Sequence, residues 1–207
     1  MKNLQFILLS FIILLLAFTA CKKEPVEVSD LNTKEVKLSR ETEYGNDWIY
    51  YSFVDEIEVS GLDETNSKTS DNWDIAFNRY NVRTNSGSSG NGQGGAYDAG
   101  DVDWDSVIEA NESGYTVDDT IQIVEAFTGQ GVSYMTSNGN DAFKGSIHLD
   151  YGPQGPSYTP NDHVYVLKTA KGKYAKIWIT SFYSDIGEGG YISFKYSYQN
   201  GDGRKFE

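Results

Sequence analysis

The sequence predicts one mostly β, antiparallel domain. Three observations point there. Apolar and polar residues alternate with a period of two in run after run, and clusters of Gly, Asn, Asp and Ser separate the runs. Only Trp104–Ala110 reads as helix, about two turns of it.

In the first run Trp48, Tyr50 and Ser52 fall on one side of a strand, with Ile49, Tyr51 and Phe53 on the other; Glu56–Ser60 repeats the pattern. Trp73, Ile75 and Phe77 alternate with Asp74, Ala76 and Asn78. Tyr165–Lys168 and Lys176–Phe182 are two further strands, joined by a tight hairpin turn at Ala170-Lys171-Gly172-Lys173. The last long run sets Tyr191, Ser193, Lys195 and Ser197 against Ile192, Phe194, Tyr196 and Tyr198. Strict alternation places one face of each strand on the core and leaves the other less covered. Two stretches are expected as loops: the Gly/Ser-rich Asn85–Gly95, and Tyr151–Pro160 with three of the four prolines. No internal repeat of roughly 20–50 residues is visible.

The N-terminus reads as an export signal. Lys2 gives a positive start, Phe6–Phe18 is almost unbroken apolar chain, and the small Thr19 and Ala20 precede Cys21. The apolar run falls short of the ~20 residues that span a bilayer as a helix. Cys21 is the lone cysteine, so no disulfide forms within one chain, and thioether linkage to diacylglycerol accounts for it. Phe18-Thr19-Ala20-Cys21 resembles the lipobox of bacterial lipoproteins. The expected organisation is a signal over residues 1–20, a lipidated Cys21 with a polar tether over 21–34, and the β domain over 35–207. Several acyl chains on Cys21 would hold the protein firmly on a membrane.

Composition excludes some functions. The formal charge is −13, with no cluster of Lys and Arg, which rules out a nucleic-acid partner. The aromatic content, 15 Tyr, 10 Phe and 4 Trp, suits half-covered β surfaces and sites for flat ligands alike. The glycines of Asn85–Gly95 match no phosphate-binding pattern, so that loop is shaped by its backbone. Asp98, Asp101, Asp103 and Asp105 lack the Gly and the closing Glu of a calcium loop. There is no G-x-S-x-G elbow and no H-E-x-x-H, so a hydrolase ranks last. The scarce metal-binding side chains are His148, His163 and Met135. His and Met commonly hold haem iron, although packing alone also accounts for Met135 beside Tyr134.

Three stretches bear on that choice: Asp47-Trp48-Ile49-Tyr50-Tyr51, Trp73–Asn85 (WDIAFNRYNVRTN) running through the Ser/Gly loop to Tyr97, and His163–Ile177. Together they resemble the HmuY-like family of haem-binding lipoproteins, over roughly Asp47 to Tyr198. The resemblance implies a mostly β, right-hand-shaped fold gripping haem between thumb and fingers. It implies iron held by two axial side chains, His or Met, and haem delivery to a TonB-dependent outer-membrane receptor. Haem or host haemoproteins would be the source, and the outer membrane, at the cell surface, the expected location.

Axial ligands approach iron from opposite faces. If Ser146–Asp150 and His163–Leu167 formed a tight hairpin, His148 and His163 would be near cross-strand neighbours, about 5 Å apart at Cβ and too close to admit a porphyrin. Both serve only if the Tyr151–Pro160 loop splays the strands; otherwise Met135 pairs with one of them. The order of preference is His148, His163, then Met135, with Tyr134, Tyr151 and Tyr158 packing on the macrocycle. The competing expectation is a surface module that binds glycan or protein through exposed aromatics.

Overall fold

The architecture is that of a computed structural model that describes residues 33–40, 47–128 and 131–206. The export signal, Cys21 and most of the tether lie outside the described residues. The strands are β1 Thr33–Lys37, β2 Ile49–Ser52, β3 Ile57–Val59, β4 Ile75–Asn78, β5 Asn81–Thr84, β6 Gly95–Asp98, β7 Asp119–Thr128, β8 Gly131–Gly139, β9 Ile147–Gly152, β10 Gly155–Pro160, β11 Tyr165–Lys168, β12 Tyr174–Tyr183 and β13 Gly189–Gln199. Every pairing is antiparallel. One sheet runs β1-β13-β12-β11-β6 and the other β3-β2-β4-β5, while β7–β8 and β9–β10 form two separate hairpins. The chain is mostly β and antiparallel, as the alternation predicts. Thr33 and Lys34, placed by sequence in the tether, pair with Ser197 and Tyr196.

The main core fills the space between the two sheets. Tyr51, Phe53, Ile75 and Phe77 from the four-stranded sheet meet Ile177, Ile179, Phe194 and Tyr196 from the other. Phe77 stacks on Phe194 with ring centroids 5.5 Å apart, and Tyr51 meets Phe194 edge-on at 5.5 Å. Aromatic pairs at these spacings add about 0.5–1.5 kcal/mol beyond the area they bury.

The expectation of one covered face fails for β2 and β4. Trp48, Tyr50, Trp73 and Ala76 form a second core on the far side of that sheet, capped by Leu62. Trp73 lies before β4 and leaves the alternation; its indole N–H donates to the Ser67 carbonyl at 2.9 Å. A third cluster, Ala110, Val166 and Phe206, covers the outer face of the five-stranded sheet.

Other expectations resolve individually. β11 and β12 pair as a hairpin with Lys168 opposite Tyr174, around the predicted turn. Asn85–Gly95 wraps around Asn85: the Gly92 N–H donates to Asn85 Oδ1 at 3.0 Å, and a Cβ on Gly92 would lie 2.5 Å from the Asn85 carbonyl oxygen. Trp104–Ala110 holds a single 3-10 turn, Trp104–Ser106, and not two helical turns. Beyond it the chain runs along the C-terminal segment, with the Ala110 N–H donating to the Arg204 carbonyl at 2.7 Å. Tyr151–Pro160 is not a loop. Residues 155–160 form β10 against β9, and among the described residues no partner strand is hydrogen-bonded to the other side of β10, where proline's missing N–H is tolerated.

Candidate functional site

The two hairpins stand beside the sandwich on anchored roots. Arg83 on β5 is buried, with its guanidinium carbon 3.8 Å from the centroid of the Trp48 ring. Its Nε donates to the Asn138 carbonyl at 2.9 Å, and Nη2 donates to Ser137 Oγ at 3.0 Å and Glu64 Oε1 at 2.9 Å. One side chain thus ties β8 to the four-stranded sheet.

Asp118, immediately before β7, supplies the other anchor. Its carboxylate accepts from the Thr84 N–H at 2.9 Å, Thr84 Oγ1 at 2.5 Å and Asn140 Nδ2 at 2.8 Å. Asn140 follows β8, so both ends of the hairpin meet on this carboxylate. Burial pushes the Asp118 carboxyl above the usual range, and its hydrogen bonds from Thr84 and Asn140 oppose that push.

Between these roots, the β4–β5 turn and the 3-10 turn Asp141–Phe143 lies a cavity of about 440 Å³. Tyr80, Thr120, Gln122, Phe143 and Lys144 are among its walls. Ligand sites run to several hundred Å³, typically apolar with a few polar groups. Tyr80 marks where the hairpins converge. Burial raises its phenol pKa, the neighbouring Tyr158, Tyr134 and Tyr151 hydroxyls raise it further, and Arg79 opposes them. Tyr158 stacks on Phe182 at 4.3 Å and on Tyr80 at 6.2 Å, and its N–H donates to the Tyr183 hydroxyl at 2.8 Å. Tyr134 and Tyr151 are 60% and 66% exposed, large aromatics that a flat ligand could cover. Of the three tyrosines named from sequence, Tyr158 stacks on Tyr80, while Tyr134 and Tyr151 are exposed on the two hairpins.

The structure places the three metal-binding candidates apart from one another. His148 on β9 faces Thr159, not His163, so the strand pairing considered from sequence does not form. His148 is exposed, with Nε2 3.2 Å from Asp150 Oδ1. Since Leu149 faces Tyr158 and Pro156 faces Tyr151, His148 points to the opposite side of its hairpin from those tyrosines. Met135 is half-buried opposite Ile123 and points away from the face that carries Tyr134. His163 precedes β11, and its Nδ1 lies 3.0 Å from both Asp98 carboxylate oxygens. Sequence reasoning did not single out Tyr80 or Arg79. One local signal existed: Asn78-Arg79-Tyr80-Asn81 is a polar break of turn length between two strands.

Among the described residues no three His, Cys, Asp or Glu side chains gather to hold a bare ion. Haem asks less of a protein, one or two axial side chains, because the porphyrin supplies the equatorial ligands. Tyr80 is the tyrosine that lines the cavity, and no His or Met is among its described lining residues; Met135 and His148 stand on the flanking hairpins as single candidate ligands.

The sequence profile of the family described as HmuY protein matches residues 44–196. No curated protein sequence matches the chain. Among solved structures, the apo HmuY analog of Tannerella forsythia superposes with a TM-score of 0.60 at 20% identity, covering 81% of this chain and 98% of that one. Apo PinO of Porphyromonas gingivitis gives 0.61 at 17% identity, over 80% and 96%. A Bacteroides vulgatus protein named as HmuY-like gives 0.59 at 24% identity, over 80% and 91%. At these identities the structures establish the shared fold.

Proposed function

The chain belongs to the HmuY protein family, and on that premise we propose that it is a haem-binding surface lipoprotein, not an enzyme. It captures haem, free or from host haemoproteins, and passes it to a TonB-dependent outer-membrane receptor. The observation that carries this reading is the aromatic surface of Tyr80, Tyr158 and Phe182 beside a ligand-sized cavity that Tyr80 lines.

When bound, haem supplies the iron and a flat conjugated surface. The protein supplies walls and axial ligands. Tyr158, backed by Phe182, presents a rigid aromatic surface, while Tyr134 and Tyr151 cover the macrocycle from the hairpins. Met135 and His148 stand one on each hairpin and would be the side chains to hold the iron. Both lie on the opposite faces of their hairpins from Tyr134 and Tyr151. His163 is the third ligand candidate; its Nδ1 contact with Asp98 is the orientation that leaves Nε2 for a metal. Lipidated Cys21 and the tether would hold the domain off the outer membrane at the cell surface.

The test is a hemin titration of the domain lacking its lipid. Saturation at one equivalent with a shifted Soret band is expected, and an unshifted band without saturation overturns the reading. In the Met135→Ala/His148→Ala double variant the coordination spectrum should be lost; retention transfers the iron to His163.

A glycan-binding reading has one observation in its favour. A groove of about 670 Å³ on the outer face of the five-stranded sheet is lined by Asp101, Asp103, Trp104, Asp162 and Trp178. Lys195 Nζ lies 4.4 Å and 4.3 Å from the Trp104 and Trp178 ring centroids. Saturable sugar binding without haem affinity would favour it.

A further inference from the structure

We infer that Arg79 and Lys144 form an anion subsite at the hairpin cavity that takes the carboxylates at the edge of its flat ligand. This rests on the haem reading and deepens it, since haem carries two propionates on one edge.

Arg79 is unusual on three counts. It occupies the turn between β4 and β5 with φ at 53°, a region that favours glycine and costs a bulky side chain about 1–2 kcal/mol. Non-glycine residues held this way cluster at binding sites. It is half-buried, yet no hydrogen bond or ion pair links its guanidinium to a carboxylate or carbonyl among the described residues. The other three arginines all donate: Arg40 to the Gly189 carbonyl, Arg83 to Glu64, and Arg204 to the Ala110 carbonyl. In a chain with 30 acidic residues against 17 basic ones, an unengaged half-buried guanidinium is out of place unless an external anion completes it.

Its surroundings indicate which anion. Arg79 acts electrostatically on the Tyr80 and Tyr158 hydroxyls, opposing the upward push of burial on both. It shares the β4–β5 turn with Tyr80, which lines the cavity and stacks on Tyr158 at 6.2 Å. Lys144, an exposed side chain, lines the cavity that Tyr80 borders, and among the described residues its ammonium has no carboxylate partner. Two cations without counter-ions beside an aromatic surface complement a flat apolar molecule with carboxylates on its rim. A guanidinium grips a carboxylate with two parallel hydrogen bonds, which fixes orientation as well as affinity.

The experiment compares hemin with hemin dimethyl ester, and metal-free protoporphyrin IX with its dimethyl ester. Each is titrated into the domain and its Arg79→Gly and Lys144→Ala variants. Glycine accepts the positive φ, so Arg79→Gly keeps the turn. The unaltered protein should prefer each acid over its ester. Arg79→Gly should weaken hemin and protoporphyrin binding by about tenfold or more, in line with a lost charge-assisted hydrogen bond, and leave both esters unchanged. Lys144→Ala should do the same to a smaller extent. Equal affinity for acid and ester, or an equal loss for both in Arg79→Gly, overturns the subsite while haem binding stands. Failure of the unaltered protein to bind any of the four overturns both.

Discussion

Replacing Asp118 with alanine should release the β7–β8 hairpin without unfolding the sandwich. The carboxylate accepts from the Thr84 N–H, Thr84 Oγ1 and Asn140 Nδ2, and at 3.4 Å from Ser86 Oγ. Two of these have alternatives: Thr84 Oγ1 lies 2.9 Å from Ser86 Oγ, and Asn140 Nδ2 also donates to the Thr116 carbonyl at 2.8 Å. The Thr84 N–H keeps no other acceptor on this side of β5, and a buried donor left unmet costs about 1–3 kcal/mol. Losing the remaining charge-assisted bonds adds a similar amount, and relief of the buried carboxylate's desolvation offsets part of it. The net expectation is about 3 kcal/mol, just over two decades in the local opening equilibrium. Hydrogen exchange read residue by residue should show amides of residues 119–124 and 131–139 exchanging about a hundredfold faster, with β12 and β13 unchanged. Affinity for hemin should fall as the fraction of closed hairpin falls. Unchanged hairpin protection, or an equal loss across both sheets, would refute the view of Asp118 as a local anchor.

Other outcomes can be checked directly. Phe194→Ala removes a fully buried ring from the inter-sheet core and should cost about 3–5 kcal/mol in global stability, measured by denaturant unfolding. Asp74 and Asp118 both have raised folded-state pKa values because burial disfavours their charged forms. Their contribution to stability is therefore fully present below the unfolded carboxyl value of about 3.9 and is lost as pH rises through the folded values. Asp74→Asn and Asp118→Asn should each flatten that part of the pH–stability curve; a curve of unaltered slope contradicts the sign. His163→Ala should leave the hemin spectrum intact if the axial pair is Met135 and His148, and a lost Soret shift would point to His163 instead.

The strands that carry the core were legible because their apolar residues recur every second position. Ile177 and Ile179, and Phe194 and Tyr196, face inward as that pattern requires. The turn between β11 and β12 and the backbone-shaped glycine loop were legible for the same reason: their residue types admit few conformations. The β7–β8 hairpin was not recognised. β7 alternates weakly, with Ile121 and Ile123 against Thr120 and Gln122, and β8 is mostly polar, with Ser133, Thr136, Ser137 and Asn138. A hairpin of that kind holds its place through Arg83 and Asp118 at its roots, which are contacts with distant chain.

By itself the sequence determined the antiparallel β class, the family resemblance and the short supply of metal-binding side chains. Tertiary structure alone decided that both faces of β2 are buried, that Tyr151–Pro160 carries a strand, and that Tyr158 of β10 stacks on Tyr80 of the β4–β5 turn. The physical reason is that period-two patterning reports which side of a strand is apolar, a local property. What covers that side, and which side chains converge across a cavity, depends on long-range packing that no short stretch of sequence records.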